Sequence, residues 1–260
     1  MEAGDVEESC PICGSPITFK QRMLVPSYGF TGERVAKGVG TQRPRTKGGM
    51  KIHFSQRWPK EYSESRVEYS GGSVRAKFAS NAQLCVVNQG VAGSGFNVCM
   101  SCGAASTDRV THTRYCKDKK ATHFNSLGTS FISDVLELCF NLGPGSFYEM
   151  PDWKSLLWAI YSAASSILEV PEGEVGGTLY FDPNGNASIM LYDDVPGGAG
   201  HALQLSEQVP ELLNKAYEIV STCTCDKDTC CYGCLCNYYN QMEQHELSRG
   251  NAQKILEDLF

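Results

Sequence analysis

The feature that most constrains this chain is a dense cysteine cluster. The stretch CTCDKDTCCYGCLC, residues 223–236, holds six of the 13 cysteines. Such a density indicates disulfides, an iron–sulfur cluster or a bound metal ion. The first residues, MEAGDVEESC, are acidic and unlike a secretory signal, and no stretch of about 18 apolar residues indicates a membrane span. We therefore expect a cytoplasmic protein, in which structural disulfides are disfavoured and thiolates remain available as zinc ligands.

Within this cluster the spacing suggests one set of four ligands. A Cys-x-x-Cys turn lets both sulfurs reach one tetrahedral zinc ion at about 2.3 Å. A Cys-x-Cys pair followed by a Cys-x-x-Cys pair gives Cys223, Cys225, Cys231 and Cys234. Cys230 or Cys236 could replace a member of either pair, and an iron–sulfur cluster would also take four thiolates. Because the loop has few apolar residues, the metal would supply its local folding free energy.

Two further Cys-x-x-Cys turns lie upstream, and each is followed by a glycine that lets the backbone fold beneath the thiolates. If the CPIC and CMSC turns face each other, they form a zinc ribbon, for which the predicted ligands are Cys10, Cys13, Cys99 and Cys102. A local alternative combines Cys99 and Cys102 with His112 and Cys116. Cys85 and Cys139 stand alone in apolar runs, which is typical of buried free thiols.

Charge is divided unevenly along the chain. Residues 1–121 have 18 Lys and Arg against 10 Asp and Glu, whereas residues 122–260 have 5 against 19. The glycine- and proline-rich stretch 26–60 indicates a long exposed loop that could meet DNA phosphates. The candidate phosphate contacts are Lys37, Arg43, Arg45, Lys47, Lys51 and Arg57.

The hydrophobic pattern predicts an α+β fold. Residues 1–121 are expected to form a basic, β-rich, zinc-ribbon-like region, because 65–100 alternates between glycine turns. Residues 122–260 are expected to form an α/β domain closed by a zinc knuckle of four cysteines. This domain should contain a helix after Asp152, two strands joined at 182–185, a helical segment from 201 that breaks near Pro210, and a last helix from 247.

The segment YDDVPGGAGHA is the best candidate for chemistry. Backbone N–H groups around Gly197 and Gly198, at the start of a predicted helix, could bind a DNA phosphate. Asp193, Asp194 and His201 could hold a metal for hydrolysis. The simpler interpretation is a tight turn capped by Asp194. The chain has no phosphate-binding loop of the Gly-x4-Gly-Lys-Ser/Thr kind, so any ATPase activity is expected in a partner chain.

Three stretches of the second half resemble the MZB domain, the zinc-binding module at the end of Mrf-type repair helicases. They are IMLYDDVPGGAGHALQL, CTC…CCYGCL and NYYNQMEQHELSRGNAQKIL. LCVVNQGVAGSGFNVCMSCG and LGTSFISDVLEL resemble the preceding part of the DrmB family from DISARM-type anti-phage systems. The resemblance covers roughly residues 84–256. It implies zinc on Cys223, Cys225, Cys231 and Cys234, and work beside a helicase on DNA.

Together these observations predict a zinc-binding, non-catalytic accessory subunit. It would bind DNA and dock on a helicase or nuclease partner in anti-phage defence or DNA repair, without a small-molecule substrate. The alternative is a scaffold that contacts only protein, with its acidic half facing the partner. A metal-dependent hydrolase built on Asp193, Asp194 and His201 is the third hypothesis.

Overall fold

The computed structural model describes residues 23–25, 50–54, 59–90, 93–143, 146–181 and 187–260. The chain forms two compact units. Unit 1 comprises residues 1–53 and 85–130, and unit 2 comprises 54–84 and 131–260. Residues 54–84 therefore join the C-terminal part of the chain, and position 121, where charge and pattern change, lies within unit 1. Within the described ranges, no helix is long and apolar enough to cross a membrane.

Ten strands and four α-helices make up the described structure. The strands are β1 (Met23–Leu24), β2 (Met50–Phe54), β3 (Ser63–Glu68), β4 (Gly72–Asn88), β5 (Phe96–Val98), β6 (Ala105–Ser106), β7 (Thr122–Phe124), β8 (Ser126–Leu142), β9 (Val175–Phe181) and β10 (Ala187–Asp193). The helices are α1 (Met150–Leu168), α2 (His201–Glu207), α3 (Val209–Thr222) and α4 (Arg249–Leu259). This mixture of strands and helices confirms the predicted α+β class.

Unit 1 is built on a small antiparallel sheet in the order β6–β5–β7. Val98 pairs with Ala105 on one side and with Thr122 on the other. The turn between β5 and β6 contains the CMSC motif. Met23 and Leu24 of β1 pair in parallel with Ser126 and Leu127 at the start of β8.

Unit 2 contains a sheet in the order β3–β4–β8–β10–β9. The register pairs Leu191 of β10 with Leu136 of β8 on one side and with Gly177 of β9 on the other, both antiparallel. The two strands predicted on either side of the 182–185 turn are thus β9 and β10, while the turn itself lies outside the described residues. Residues 130–140 belong to β8.

Helix α1 begins earlier than the sequence indicated. Its N-cap is Glu149, and Asp152 stands at the third helical position, where its Oδ2 accepts a hydrogen bond from the Glu149 backbone N–H at 2.8 Å. Asp152 therefore completes a capping box, and the helix begins three residues before the start predicted after Asp152. Pro151 fits at the first turn because no intrahelical hydrogen bond is required there.

One face of the unit 2 sheet supports the helices. Alternate residues of β4, β8 and β10 enter the same core, namely Val74, Ala76, Leu136, Leu138, Ile189 and Leu191. Helix α1 packs against β9 and β10 and also against α3 and α4. The predicted break near Pro210 occurs at Gln208, between α2 and α3. Because α3 ends at Thr222, the cysteine cluster begins directly after this packed helix.

Candidate metal centres

The structure brings Cys223, Cys225, Cys231 and Cys234 together at the end of α3. The Cys223 Sγ lies 3.5 Å from both the Cys225 and the Cys231 Sγ, and the Cys234 Sγ lies 3.8 Å from Cys225 and 3.9 Å from Cys231. Four thiolates at about 2.3 Å from one tetrahedral ion stand about 3.8 Å apart. The donor set and its spacing therefore fit zinc.

The backbone of the knuckle already points toward these sulfurs. The Gly233 N–H donates to Cys231 Sγ and the Cys231 N–H donates to Cys234 Sγ, both at 3.3 Å. A hydrogen bond from the Cys225 backbone is the main reason that the pKa of Cys223 falls to about 7, whereas burial raises the pKa of Cys234 to about 12. The cluster thus has one thiol that readily becomes a thiolate, and a cation is needed to hold all four in that form.

The two remaining cysteines of the loop are paired with each other. Cys230 and Cys236 form a disulfide, so neither is available as a member of the tetrad. This pairing differs from the expectation that structural disulfides are disfavoured in this chain. The four clustered cysteines are free thiols, and their role as ligands remains a prediction.

The start of α4 holds the cysteine loop in place. The guanidinium of Arg249, only 7% exposed, donates to the Cys225 carbonyl from two nitrogens, at 2.6 and 2.9 Å, and to the Val220 carbonyl at 3.1 Å. Ser248 Oγ donates to the Lys227 carbonyl at 2.7 Å. These contacts fix both ends of the segment that carries the first two cysteines.

Residues 237–244 brace the other side of the loop. Asn240 donates to the Leu235 carbonyl at 2.7 Å, and Gln244 donates to the Asn237 carbonyl at 2.9 Å. The spacing of Asn240, Gln241, His245 and Arg249 after the cluster predicts that these four residues brace it through hydrogen bonds. Of the four, Asn240 and Arg249 make such contacts among the described bonds, and the side chain of His245 is 74% exposed. Gln244 was missed, although it lies one turn from Asn240.

A second cluster lies in unit 1 and contains Cys99, Cys102, His112 and Cys116. Cys99 and Cys102 occupy the β5–β6 turn, which closes through hydrogen bonds from Cys99 N–H to the Ala104 carbonyl at 2.9 Å and from Gly103 N–H to the Cys99 carbonyl at 2.8 Å. Gly103 has φ of +71°, a conformation that glycine adopts without strain. This explains the glycine after the motif.

The distances within this second cluster also fit one tetrahedral ion. The Cys99 and Cys116 sulfurs are 3.6 Å apart, and His112 Nδ1 lies 3.6 Å from Cys116 Sγ and 3.9 Å from Cys102 Sγ. Hydrogen bonds from the Thr113 and Ala104 backbones lower the pKa of Cys102 to about 6. Three thiols and an imidazole form a common zinc-binding set.

Among the described residues, the structure groups the four members of the local alternative, Cys99, Cys102, His112 and Cys116. Their role as zinc ligands remains a prediction. Cys10 and Cys13 lie outside the described residues. A tetrahedral ion that binds all four members of this cluster has no place for two more thiolates.

Backbone N–H groups of the glycine-rich turn after β10 surround a side-chain carboxylate at the end of that strand. The carboxylate of Asp193, which is fully buried, accepts hydrogen bonds from the N–H groups of Ala199, Gly200 at 2.7 Å, His201 at 3.2 Å and Ala202 at 2.8 Å. His201 and Ala202 are the first two residues of α2 and Gly200 is its N-cap, so Asp193 caps the helix from the end of the neighbouring strand. The prediction that Asp194 caps this turn is therefore wrong by one residue.

This arrangement argues against the phosphate site and the hydrolase expected in the turn. The Gly197 N–H donates to the Ile132 carbonyl at 2.7 Å and the Gly198 N–H to the Val195 carbonyl at 3.0 Å. Neither is directed at a ligand. The Asp193 oxygens are occupied by backbone donors, and Asp194 and His201 complete no metal-binding group with it among the described residues.

The predicted phosphate contacts fall mostly beyond the described structure. Lys37, Arg43, Arg45, Lys47 and Arg57 lie outside the described residues. Lys51 belongs to β2, for which the structure describes the backbone only. The DNA-binding role of all six residues remains a prediction.

The sequence resembles a known zinc-binding family over the region that contains the C-terminal cluster. Residues 156–235 match the MrfA Zn-binding domain, MZB. This range contains the greater part of α1, all of β9, β10, α2 and α3, and all four clustered cysteines of unit 2, but none of those in unit 1. The predicted cofactor, zinc, is confirmed by this family together with the two clusters of ligand residues.

Comparison with individual proteins gives weaker likenesses. The chain is 25% identical to the Druantia protein DruE of Escherichia coli (strain UMEA 4076-1) across 96% of its own length, and it spans 15% of that relative. The relative found is thus a Druantia protein, whereas the resemblance to DrmB remains a prediction. Two crystal structures of the DUF1998 helicase MrfA are also similar. The one bound to DNA has a TM-score of 0.45 with 11% identity over 81% of this chain and 25% of that chain. The one bound to DNA and AMPPNP has a TM-score of 0.36 with 10% identity over 76% and 22%.

Proposed function

We propose that this chain is a zinc-dependent accessory module that docks on a helicase and contacts DNA, without a catalytic site of its own. The observation that carries the proposal is the tetrad of Cys223, Cys225, Cys231 and Cys234 inside the region that matches the MrfA Zn-binding domain. MrfA is described as a helicase bound to DNA. Anti-phage defence or DNA repair is the setting that the family resemblance supports.

The ligands proposed for the first ion are the four clustered cysteines of unit 2, and those for the second are Cys99, Cys102, His112 and Cys116. When bound, zinc would act as a structural cross-link. The cysteine loop in unit 2 joins α3 to α4, and most of its residues are polar or only partly buried. The metal would therefore supply folding free energy to this loop, and chelation should loosen it.

Metal analysis of the purified full chain tests the ligand assignment. We expect two zinc ions per unmodified chain, and one zinc ion per chain in each of the variants Cys231→Ser and Cys102→Ser. The matched control is Cys85→Ser, which removes a half-buried thiol outside both clusters and should keep both ions. A chain that loses no zinc in Cys231→Ser would contradict the proposal.

A pair of variants separates the two possible upstream ligand sets. Cys116→Ser should lose one zinc ion, whereas Cys10→Ser should keep both, because the described cluster is complete without Cys10. The reverse outcome would support the ribbon of Cys10, Cys13, Cys99 and Cys102.

The DNA part of the proposal rests on the basic balance of residues 1–121. Electrostatic contacts to phosphates release counterions, so binding should weaken steeply as salt is raised from 50 to 200 mM. A mobility-shift assay with single- and double-stranded oligonucleotides measures this dependence. Replacing Lys37, Arg43, Arg45 and Lys47 by Gln should reduce both the affinity and its salt dependence, and unchanged binding would remove these residues from the interface.

The alternative is a scaffold that contacts only protein. The acidic balance of residues 122–260, which contain 19 Asp and Glu but 5 Lys and Arg, favours it. Co-purification with proteins encoded beside it, with and without nuclease treatment, separates the two functions. A complex that survives nuclease treatment while the isolated chain binds no DNA would support the scaffold.

A further inference from the structure

A short loop of unit 1, residues 109–120, concentrates exposed positive charge around the second cysteine cluster; we call it the basic loop. It contains five Lys and Arg and one Asp, and the rest of the stretch 85–130 adds no Lys or Arg and one Asp. Within the described ranges, Arg109 and the three lysines form no ion pair. Their charge is therefore accessible to a ligand from solvent. The five cations are all exposed, namely Arg109, Arg114, Lys117, Lys119 and Lys120.

The cysteine cluster sets the course of the backbone on both sides of Cys116. The Cys116 N–H donates to the Thr113 carbonyl at 3.0 Å and closes the turn that contains residues 114–115. The Asp118 carbonyl lies 3.1 Å from the Cys116 Sγ and 3.4 Å from the Cys99 Sγ, so the backbone between the lysines turns toward the sulfurs. The cationic side chains thus project from a backbone that is already ordered, which lowers the entropy cost of binding a ligand.

An aromatic ring lies among these cations. Tyr115 is 75% exposed. The Arg114 guanidinium lies over its ring at 4.5 Å from the centroid and also donates to its hydroxyl. Charge alone is satisfied by solvent, whereas a large ring held in water is unfavourable unless it meets a partner. Cations beside an exposed ring are typical of surfaces that bind single-stranded nucleic acid, where bases stack on rings and phosphates contact Lys and Arg.

We propose that the basic loop binds single-stranded DNA, with Tyr115 stacking on a base and the surrounding Lys and Arg contacting phosphates. An acidic protein segment would satisfy the charges but leave the ring without a partner, and a duplex keeps its bases stacked on one another. The inference rests on the DNA part of the proposed function, and it places a contact surface within the described part of unit 1.

The charge contribution is tested with fluorescein-labelled (dT)20, the full chain and fluorescence anisotropy from 50 to 200 mM salt. The combined variant Lys117→Gln, Lys119→Gln and Lys120→Gln should weaken binding about tenfold at 100 mM salt. It should also reduce the slope of log affinity against log salt by about 2, because each phosphate contact on a single strand contributes roughly 0.7 to that slope.

A charge-matched control distinguishes the basic loop from general attraction between a cation and DNA. Three lysines of unit 2 are replaced together, and the affinity for (dT)20 should change less than about twofold. Circular dichroism and zinc content establish that each variant is folded. The control substitutions are Lys60→Gln, Lys215→Gln and Lys254→Gln.

The stacking contribution is tested separately because it carries no charge. Tyr115→Ser should weaken (dT)20 binding about fivefold or more and leave the salt slope unchanged, whereas Tyr115→Phe should retain the affinity. An abasic strand with the same number of phosphates should bind Tyr115→Ser as well as it binds the unmodified chain. Phe147→Ser, which removes an 81% exposed ring of unit 2, is the control and should change neither quantity.

The other outcomes are distinct. If the lysine variant binds (dT)20 like the unmodified chain, or the control set weakens binding equally, the inference fails and the DNA part of the proposed function stands. If Tyr115→Ser weakens the abasic strand as much as (dT)20, the stacking role is overturned. If labelled polyglutamate binds as tightly as (dT)20 and the lysine variant weakens it equally, the occupant is an acidic protein and the inference fails. If the unmodified chain binds neither (dT)20 nor a duplex, the DNA part of the proposed function itself fails.

Discussion

Replacing Asp193 by Asn tests how the glycine-rich turn is held. Its carboxylate, fully buried, accepts four backbone N–H groups, three on Oδ2 and one on Oδ1. The amide of Asn offers one acceptor oxygen and places an NH2 group against the remaining donors. Charge-assisted hydrogen bonds contribute roughly 1 kcal/mol more than neutral ones, and an unsatisfied buried donor costs about 1–3 kcal/mol.

Because these terms overlap, we expect Asp193→Asn to lower the free energy of unfolding by about 3 kcal/mol. For a domain of 150–250 residues, that corresponds to a decrease in Tm of roughly 6–12 °C. Thermal unfolding of the full chain, followed by circular dichroism at pH 7 with zinc present, measures it. Glu207→Gln, the same type of change at an exposed position of α2, should alter the free energy by less than about 0.5 kcal/mol. Equal Tm values for the two variants would refute this account of the turn.

Three further perturbations test other contacts. Arg249→Lys should destabilise the cysteine loop by about 2 kcal/mol and speed zinc release to a chelator. The reason is that a single ammonium cannot reproduce the three hydrogen bonds of the guanidinium to the Cys225 and Val220 carbonyls. Lys254→Gln on the same helix is the control. Gly173→Ala should lower Tm more than Gly197→Ala, since both glycines have positive φ but only at 173 does a Cβ meet another residue, the hydroxyl of Tyr239. Lys154→Met should lower Tm at pH 7 by an amount that shrinks below about pH 4. Lys154 lowers the pKa of Glu246 in the folded chain. A carboxyl group with a lowered pKa stabilises the fold at pH values above its unfolded-state pKa, and this stabilisation is lost as the pH falls through the folded-state pKa. A Tm difference that stays constant from pH 7 to pH 3 would contradict that assignment.

Much of unit 2 could be predicted from local patterns. The apolar period of residues 153–167 predicted α1, and the two strand-like runs on either side of residues 182–185 predicted β9 and β10. Proline near position 210 predicted the division between α2 and α3. The clustered thiols of residues 223–234 predicted a metal site because all four ligands lie within one short loop.

The role of Asp193 was present in the sequence but was assigned to its neighbour. Ile189, Leu191 and Asp193 have the same parity along β10, and the first two enter the core beneath the helices. Strand alternation therefore directs Asp193 toward the start of α2 and leaves Asp194 exposed. Period-two reasoning applied to the end of the strand would have identified the capping residue.

The sequence by itself predicted most elements of unit 2, the zinc chemistry and the candidate ligands of the C-terminal loop, because each depends on residues close together in the chain. Only the tertiary structure decided that Cys99 and Cys102 join His112 and Cys116, that Cys230 pairs with Cys236, and that Tyr239 lies beside Glu172. These outcomes depend on distances across folded backbone, which residue spacing does not specify. Several spacings satisfy the ligand chemistry equally well, and only the path of the chain between them selects one.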